Sequence, residues 1–296
     1  MNLSVRIGQV KGSNEFIQNQ RREDPRAGTG NWAYFSRPIE EVMEAAQSWA
    51  ESVSGIQKPW LCWNVHDDWC LVQQKIVSHL GWTPIVGWDP NLCKSAPIIS
   101  GAVPIDFNSH LKLKVMWPHV PLEFAFMWTE KLAFWHADLL VRLPKLKKIA
   151  DLFERLKDGE MAAVLSRGGF RNLLNLRSHR YWELIGCTTK GASKSQFEHG
   201  CGWWRHIWKH PNCPNNEKER DRRRKYYYDH GIGIMYWKRH YKGKVYSIPL
   251  RPLLEGHFSE VGNPKYRKAS CKTEELNKNF NLNQALEALD LVEFAR

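Results

Sequence analysis

The densest chemistry in the chain lies in one short run, Lys131-Leu-Ala-Phe-Trp-His136-Ala137-Asp138-Leu-Leu-Val141. An apolar strand ending in His136-Ala137-Asp138 puts an imidazole and a carboxylate on one face, because alternate residues of a strand point the same way. Ligand sites in open α/β sheets lie at such strand ends, and this pair could hold a divalent metal. An ordinary exposed strand end would read the same. Further along, Asp229-His230-Gly231 opens a helical stretch to Arg239, followed by a strand from Lys244 to Pro249 and then His257. A carboxylate at a helix start serves as an N-cap, as a general base, or as both. Between these lies Gln196-Phe-Glu198-His199-Gly200-Cys201-Gly202-Trp203-Trp204-Arg205, where the glycines permit close backbone approach. Its paired tryptophans offer either a platform for a sugar or base ring or a buried aromatic cluster, the latter being the reading for Trp204. His199, Cys201, His206, His210 and Cys213 are five potential zinc ligands, but their spacing fits no familiar finger and lacks a close cysteine pair. Zinc is the lesser reading.

The elements that must position these residues follow from hydrophobic periodicity. Ile39, Val42, Met43, Ala46, Trp49, Ala50 and Val53 form a helical stripe between Pro38 and Gly55. Trp60 to Val65 reads as a buried strand, His66-Asp67-Asp68 as a cap, and Val72, Ile76 and Leu80 as a helix ending at Gly81. Thr83 to Trp88 is the next strand. Strand, helix, strand predicts an α/β fold, a mostly parallel Rossmann-type sheet flanked by helices in a single domain. Apolar runs at Leu122–Met127 and Leu132–Trp135 precede a helix carrying Leu146, Ile149, Phe153 and Leu156, and Met161–Leu165 is another short strand. Residues 166–215 read as irregular and functional. Leu282, Leu286, Leu289 and Val292 mark a docking helix in the tail. These readings divide the chain into a flexible lead-in at 1–36 and a domain at 37–296, with halves at 37–165 and 166–260 and a tail at 261–296.

Of the 296 residues, 43% are hydrophobic and 25% charged, which excludes a disordered chain. No run approaches the ~18–20 apolar residues of a membrane span and no signal peptide opens the sequence, so a soluble, cytoplasmic protein without membrane partners is expected. The seven cysteines contain no C-x-x-C pair and read as reduced thiols. Lys and Arg exceed Asp and Glu by 43 to 31, a net charge of +12. Half of that excess falls between Glu217 and Lys244, where ten Lys/Arg face four Asp/Glu. Such a patch attracts polyanions, and interleaved Tyr and Trp could stack on bases; a solvated helix face is the plainer alternative for each residue.

The order of these motifs resembles the GT-A class of nucleotide-sugar glycosyltransferases. Those enzymes follow a βαβ nucleotide-binding half with a strand ending in a D-x-D-type motif. They then carry a carboxylate at a helix start, a strand and a metal-binding His. The resemblance spans about Trp60 to Phe258 and implies metal ligation by Asp138, His257 and His136, with Mn or Mg as the ion and Asp229 as the base. Because the motif here is H-x-D, it leaves open whether His136 meets the metal or the sugar. Asn64, Asp67, Glu198, His199 and Trp203 would line the site of a UDP-sugar donor. The basic patch sharpens the resemblance toward the glycosyltransferases that decorate hydroxymethylpyrimidines in double-stranded DNA, as in phages and the base J pathway. Arg220, Arg222, Arg223, Arg224 and Lys225 would then grip phosphates, and Tyr226 to Tyr228 and Trp237 would wedge or stack beside a flipped base. Two rivals stand beside it: a glycosyltransferase acting on a protein or glycan, and a non-catalytic nucleic-acid-binding protein supported by zinc.

Overall fold

A computed structural model describes residues 53–88, 95–105, 129–166, 179–204, 206–226, 230–257 and 282–295, with scattered positions between 41 and 51. Those scattered positions are helical and exposed, the polar side of the stripe expected there. The apolar run Leu122–Met127 lies outside the described residues, as does the lead-in.

Seven strands form one sheet: β1 (Pro59–Asn64), β2 (Thr83–Trp88), β3 (Val103–Ile105), β4 (Lys131–Trp135), β5 (Glu160–Ser166), β6 (Arg180–Thr189) and β7 (Lys244–Pro249), in the order β3-β2-β1-β4-β6-β5-β7. All adjacent pairs are parallel except those of β6, which runs against both β4 and β5. The expected β–α–β unit is present, with α1 (Asp67–His79) crossing between β1 and β2. The cap of α1 is His66 rather than an aspartate; Asp67 and Asp68 fall in its first turn, where their charge complements the helix dipole.

Strand alternation divides the core into two layers. Trp60 and Cys62 face α1 and α2 (Leu143–Arg155), with Leu286 and Leu289 of the tail helix α6 (Leu282–Leu289) in the same layer. Leu61 and Trp63 face the opposite layer, which holds Trp203, Trp204, Ile207 and the apolar face of α5 (Ile232–His240). Trp60 anchors the first layer, its ring 5.3 Å from Trp82 and 5.4 Å from both Trp135 and Phe153. Among the described residues, no helix is long and apolar enough to cross a membrane.

The structure corrects the reading of 166–215 as irregular, for β6 and α3 (Lys190–Glu198) both lie within it. Neither has a clean period. The register between β5 and β6 jumps between Ala163 and Val164, so β6 does not alternate, and only Ala192, Ser193 and Gln196 of α3 are buried. The acidic helix start also moves: the cap of α5 is Gly231, two residues after Asp229. Its φ of 77° and the backbone oxygen of Tyr181, which would stand 1.7 Å from an added Cβ, both demand glycine.

Replacing the fully buried Trp60 by alanine should remove about 3–5 kcal/mol of stability, read as a lower denaturation midpoint at an unchanged m-value. A loss under 1 kcal/mol would show that the tryptophan cluster does not anchor this layer.

Candidate metal centre

At the end of β4 the chain leaves the sheet in a tight turn. The N–H of His136 still donates to Leu184 O on β6 at 2.8 Å, and Leu139 N then donates back to His136 O at 3.2 Å. Gln73 of α1, completely buried, fastens this turn: its amide nitrogen donates to His136 O at 2.8 Å and to Leu139 O at 2.9 Å. His136 and Asp138 therefore meet through a turn rather than through strand alternation. A second backbone segment docks on the turn. Leu139 bridges His257 in antiparallel fashion, and Leu140 N donates to Gly256 O at 2.9 Å. A Cβ on Gly256 would stand 1.8 Å from Leu140 O, so only glycine permits the approach.

The result is a cluster of His136, Asp138 and His257, whose ligand atoms all lie within 4.8 Å of one another. His136 Nδ1 stands 2.8 Å from Asp138 Oδ1, and His257 Nε2 stands 3.3 Å from the same oxygen. The three side chains are 33%, 15% and 14% exposed, in the order His136, Asp138, His257. Glu183 of β6 adds a second carboxylate, with Oε1 3.9 Å from His136 Nε2. Burial opposes the charge on Asp138, yet the imidazoles of His136 and then His257 hold its carboxyl well below the usual range. Burial likewise opposes the charge on His136, but Asp138 and then Glu183 carry its pKa up to about 10. Two imidazoles and a carboxylate fit a first-row divalent ion such as Mn better than the all-oxygen preference of Mg. His136 and Asp138 are the pair the strand end suggested for a metal, and His257 is the late ligand the resemblance implied. Glu183, Gln73 and Gly256 were not among them. Gln73 alone left a trace in the sequence, as a polar residue on the apolar stripe of α1 between Trp69 and Ile76.

The other expected residues are dispersed. Asn64 ends β1 buried and donates to Asp67 Oδ1 at 2.9 Å, with Asp67 exposed at the start of α1. Glu198 is exposed at the end of α3, and the His199 ring packs 4.0 Å from Tyr241. Trp203 is buried, edge-on to Phe134, so it offers no platform to a sugar ring. Trp237 is buried too, its indole N–H donating to Ser195 Oγ, and is withdrawn from base stacking. Tyr226 is buried, its hydroxyl 2.8 Å from His240 Nε2. Tyr228 and Asp229 lie outside the described residues.

Arg223 requires the largest correction. It sits in α4 (Glu217–Arg224) but is fully buried, so it cannot grip a phosphate backbone. Its guanidinium donates to the carbonyls of Gly200, His199 and Ile207, to the Tyr241 hydroxyl and to Glu219. This is the loop of the five supposed zinc ligands, and no three of them converge as a metal group. A fixed cation already organises the loop. Burial and then the charge of Arg223 push the His210 pKa down to about 3. On the exposed side, Arg222 pairs with Glu219, and Arg224 pairs with Glu217 and Asp221. Arg220 is half-buried and Lys225 exposed.

A cation binding at His136 must displace a proton that Asp138 and Glu183 help to hold there. Mn²⁺ affinity should therefore rise with pH by up to about tenfold per unit across the neutral range, measured by isothermal titration calorimetry between pH 6.5 and 8.5; an affinity flat across that range would remove His136 from the ligand set. No protein-family model, no characterised protein and no solved structure matches the chain, so the centre is read from its own chemistry.

Proposed function

We propose that the protein is a metal-dependent glycosyltransferase of the GT-A kind, moving a sugar from a nucleotide-sugar donor to a hydroxyl acceptor. The observation that carries this reading is the convergence of His136 and Asp138, at the end of β4, with His257, which follows β7. The order of parts supports it as well. A β1–α1–β2 unit, a strand running into Asp138, and a late strand followed by a histidine make up the sequence of elements that the resemblance implies.

In this mechanism Asp138, His136 and His257 would hold the ion. When bound, the ion neutralises charge that grows on the donor diphosphate as it leaves. The bond from the anomeric carbon to the diphosphate oxygen breaks, and a bond from that carbon to the acceptor oxygen forms. Asp229 takes the acceptor hydroxyl's proton as general base, the role of a carboxylate just ahead of α5. Asn64 and Asp67, at the end of β1 on the same edge of the sheet, would meet the nucleoside of a UDP-sugar.

For the acceptor we propose a 5-hydroxymethylpyrimidine in double-stranded DNA. The net charge of +12 and its concentration around α4 support a polyanionic partner. The phosphate-gripping set reduces to Arg220, Arg222, Arg224 and Lys225, since Arg223 is internal. The pairing of Arg222 and Arg224 with acids of their own helix favours a second reading, an acceptor hydroxyl on a protein or glycan.

The deciding assay supplies the full chain with Mn²⁺, a panel of nucleotide sugars, and duplex DNA with or without 5-hydroxymethylcytosine or 5-hydroxymethyluracil, read by nucleoside mass spectrometry. A sugar mass on the hydroxymethylated base alone is expected, with Asp138→Ala lowering the rate by roughly 10²–10³-fold. Sugar-nucleotide turnover without DNA modification would move the acceptor to protein or glycan. No turnover with any donor would sink the transferase reading.

A further inference from the structure

Glu183 enters the centre through an irregularity of the sheet. Ala163 of β5 pairs with Gly186 of β6, but the next residue, Val164, pairs with Trp182. Glu183, Leu184 and Ile185 are thus left without β5 partners at the point where β6 meets the end of β4: Ile185 pairs with Trp135, and Leu184 O accepts from His136 N. Bulges of this kind re-aim side chains and are over-represented beside active sites. Here the bulge brings a carboxylate, 15% exposed, to within 3.9 Å of His136 Nε2. A largely enclosed carboxylate inside a strand is unfavourable unless a partner offsets its charge. An apolar residue would fill the position at no such cost.

The two nitrogens of His136 face different carboxylates. Nδ1 points to Asp138 Oδ1, the oxygen that His257 Nε2 also approaches. Nε2 points to Glu183, which stands outside the group of three whose ligand atoms converge. A neutral imidazole carries one N–H and one lone pair. If Nδ1 gives its lone pair to the ion, the hydrogen is on Nε2 and faces Glu183. Metal-bound histidines commonly donate their second N–H to a carboxylate in this way, which fixes the tautomer and strengthens the ligand.

Resting on the reading of His136, Asp138 and His257 as a metal centre, we propose that Glu183 is its outer carboxylate: it accepts the Nε2–H of His136 and so turns Nδ1 toward the ion. Glu183 is a positioning residue and touches neither ion nor substrate. The contact needs a closing movement of about 1 Å to become a hydrogen bond.

The test uses the full chain and Mn²⁺ alone, with affinities read by electron paramagnetic resonance for the wild type, Glu183→Ala, Glu183→Gln and Asp138→Asn. Glu183→Ala should weaken Mn²⁺ roughly 10- to 100-fold. Glu183→Gln should lose less, because its amide oxygen still accepts the bond. In parallel, ¹⁵N-histidine spectra of the Zn²⁺-loaded wild type should show His136 protonated at Nε2, the signal assigned by its absence in His136→Gln. Should Glu183→Ala fail to fold, these wild-type spectra decide alone. Unchanged affinity in Glu183→Ala beside a loss in Asp138→Asn would overturn the role of Glu183 and leave the metal centre standing. A proton on Nδ1 would overturn it too, as would a Glu183→Gln loss equal to that of alanine, the sign of a direct ligand. If the wild type bound neither Mn²⁺ nor Zn²⁺, the metal reading would fall and the outer carboxylate with it.

Discussion

The contact between Leu139–Leu140 and Gly256–His257 governs the rest of the site. Its two segments are over a hundred residues apart in the chain, and neither carries a metal set alone. They meet because Leu139 and Leu140 are wholly buried, because a backbone bridge aligns Leu139 with His257, and because Gly256 offers no side chain to the carbonyl of Leu140. Interiors are packed too densely to absorb a methyl group at that separation. The position of His257 relative to Asp138 is therefore set by backbone packing, independent of any attraction between the two side chains. Gln73 holds the other side of the same turn by using both of its amide protons on backbone carbonyls. A turn satisfied in this way presents its side chains in one geometry, the condition for a preorganised ligand set.

Beneath the opposite face, the buried guanidinium of Arg223 plays a comparable structural part. A lone buried charge is costly, and an ion pair plus several hydrogen bonds is what makes it tolerable. Arg223 has both, through Glu219 on its own helix and through carbonyls of the 199–207 loop. Glu219 in turn accepts from the Tyr236 hydroxyl of α5, which ties the two helices together. One arginine thus ties down an aromatic, glycine-rich loop. His210 packs on Phe197 and Trp204 and His206 on Trp208, and a divalent ion placed among them would stand close to a fixed cation.

The reversed strand β6 links these parts. Running against its neighbours, it brings its beginning, rather than its end, to the edge where β4 and β5 finish. Tyr181 there accepts the close approach of Gly231 at the start of α5, and Glu183 faces His136 two residues on. A single strand thereby joins the segment just after Asp229 to the His136–Asp138–His257 cluster, and its bulge brings Glu183 to face His136.

The α/β class, the β1–α1–β2 unit and the bounds of β2 and β7 were legible in the sequence, since apolar periodicity and terminating glycines are local properties of the chain. The same local logic marked His136 and Asp138 by residue type and position, whereas His257 was marked only through the glycosyltransferase resemblance. It erred where side chains were judged by type alone: Trp203, Trp237 and Arg223 are chemically suited to ligands, yet burial commits them to the interior. It passed over Glu183 because a bulge has no period, and Gly256 because the need for glycine arises from a distant carbonyl. What the sequence determined by itself was the elements with a clean apolar period and the kinds of groups available, both fixed by interactions within a few residues; β6 and α3, which have no such period, were left to the fold. Only the tertiary structure decided which groups meet, because strand order, the reversal of β6 and the crossing at Gly256 depend on packing between segments that the chain keeps far apart.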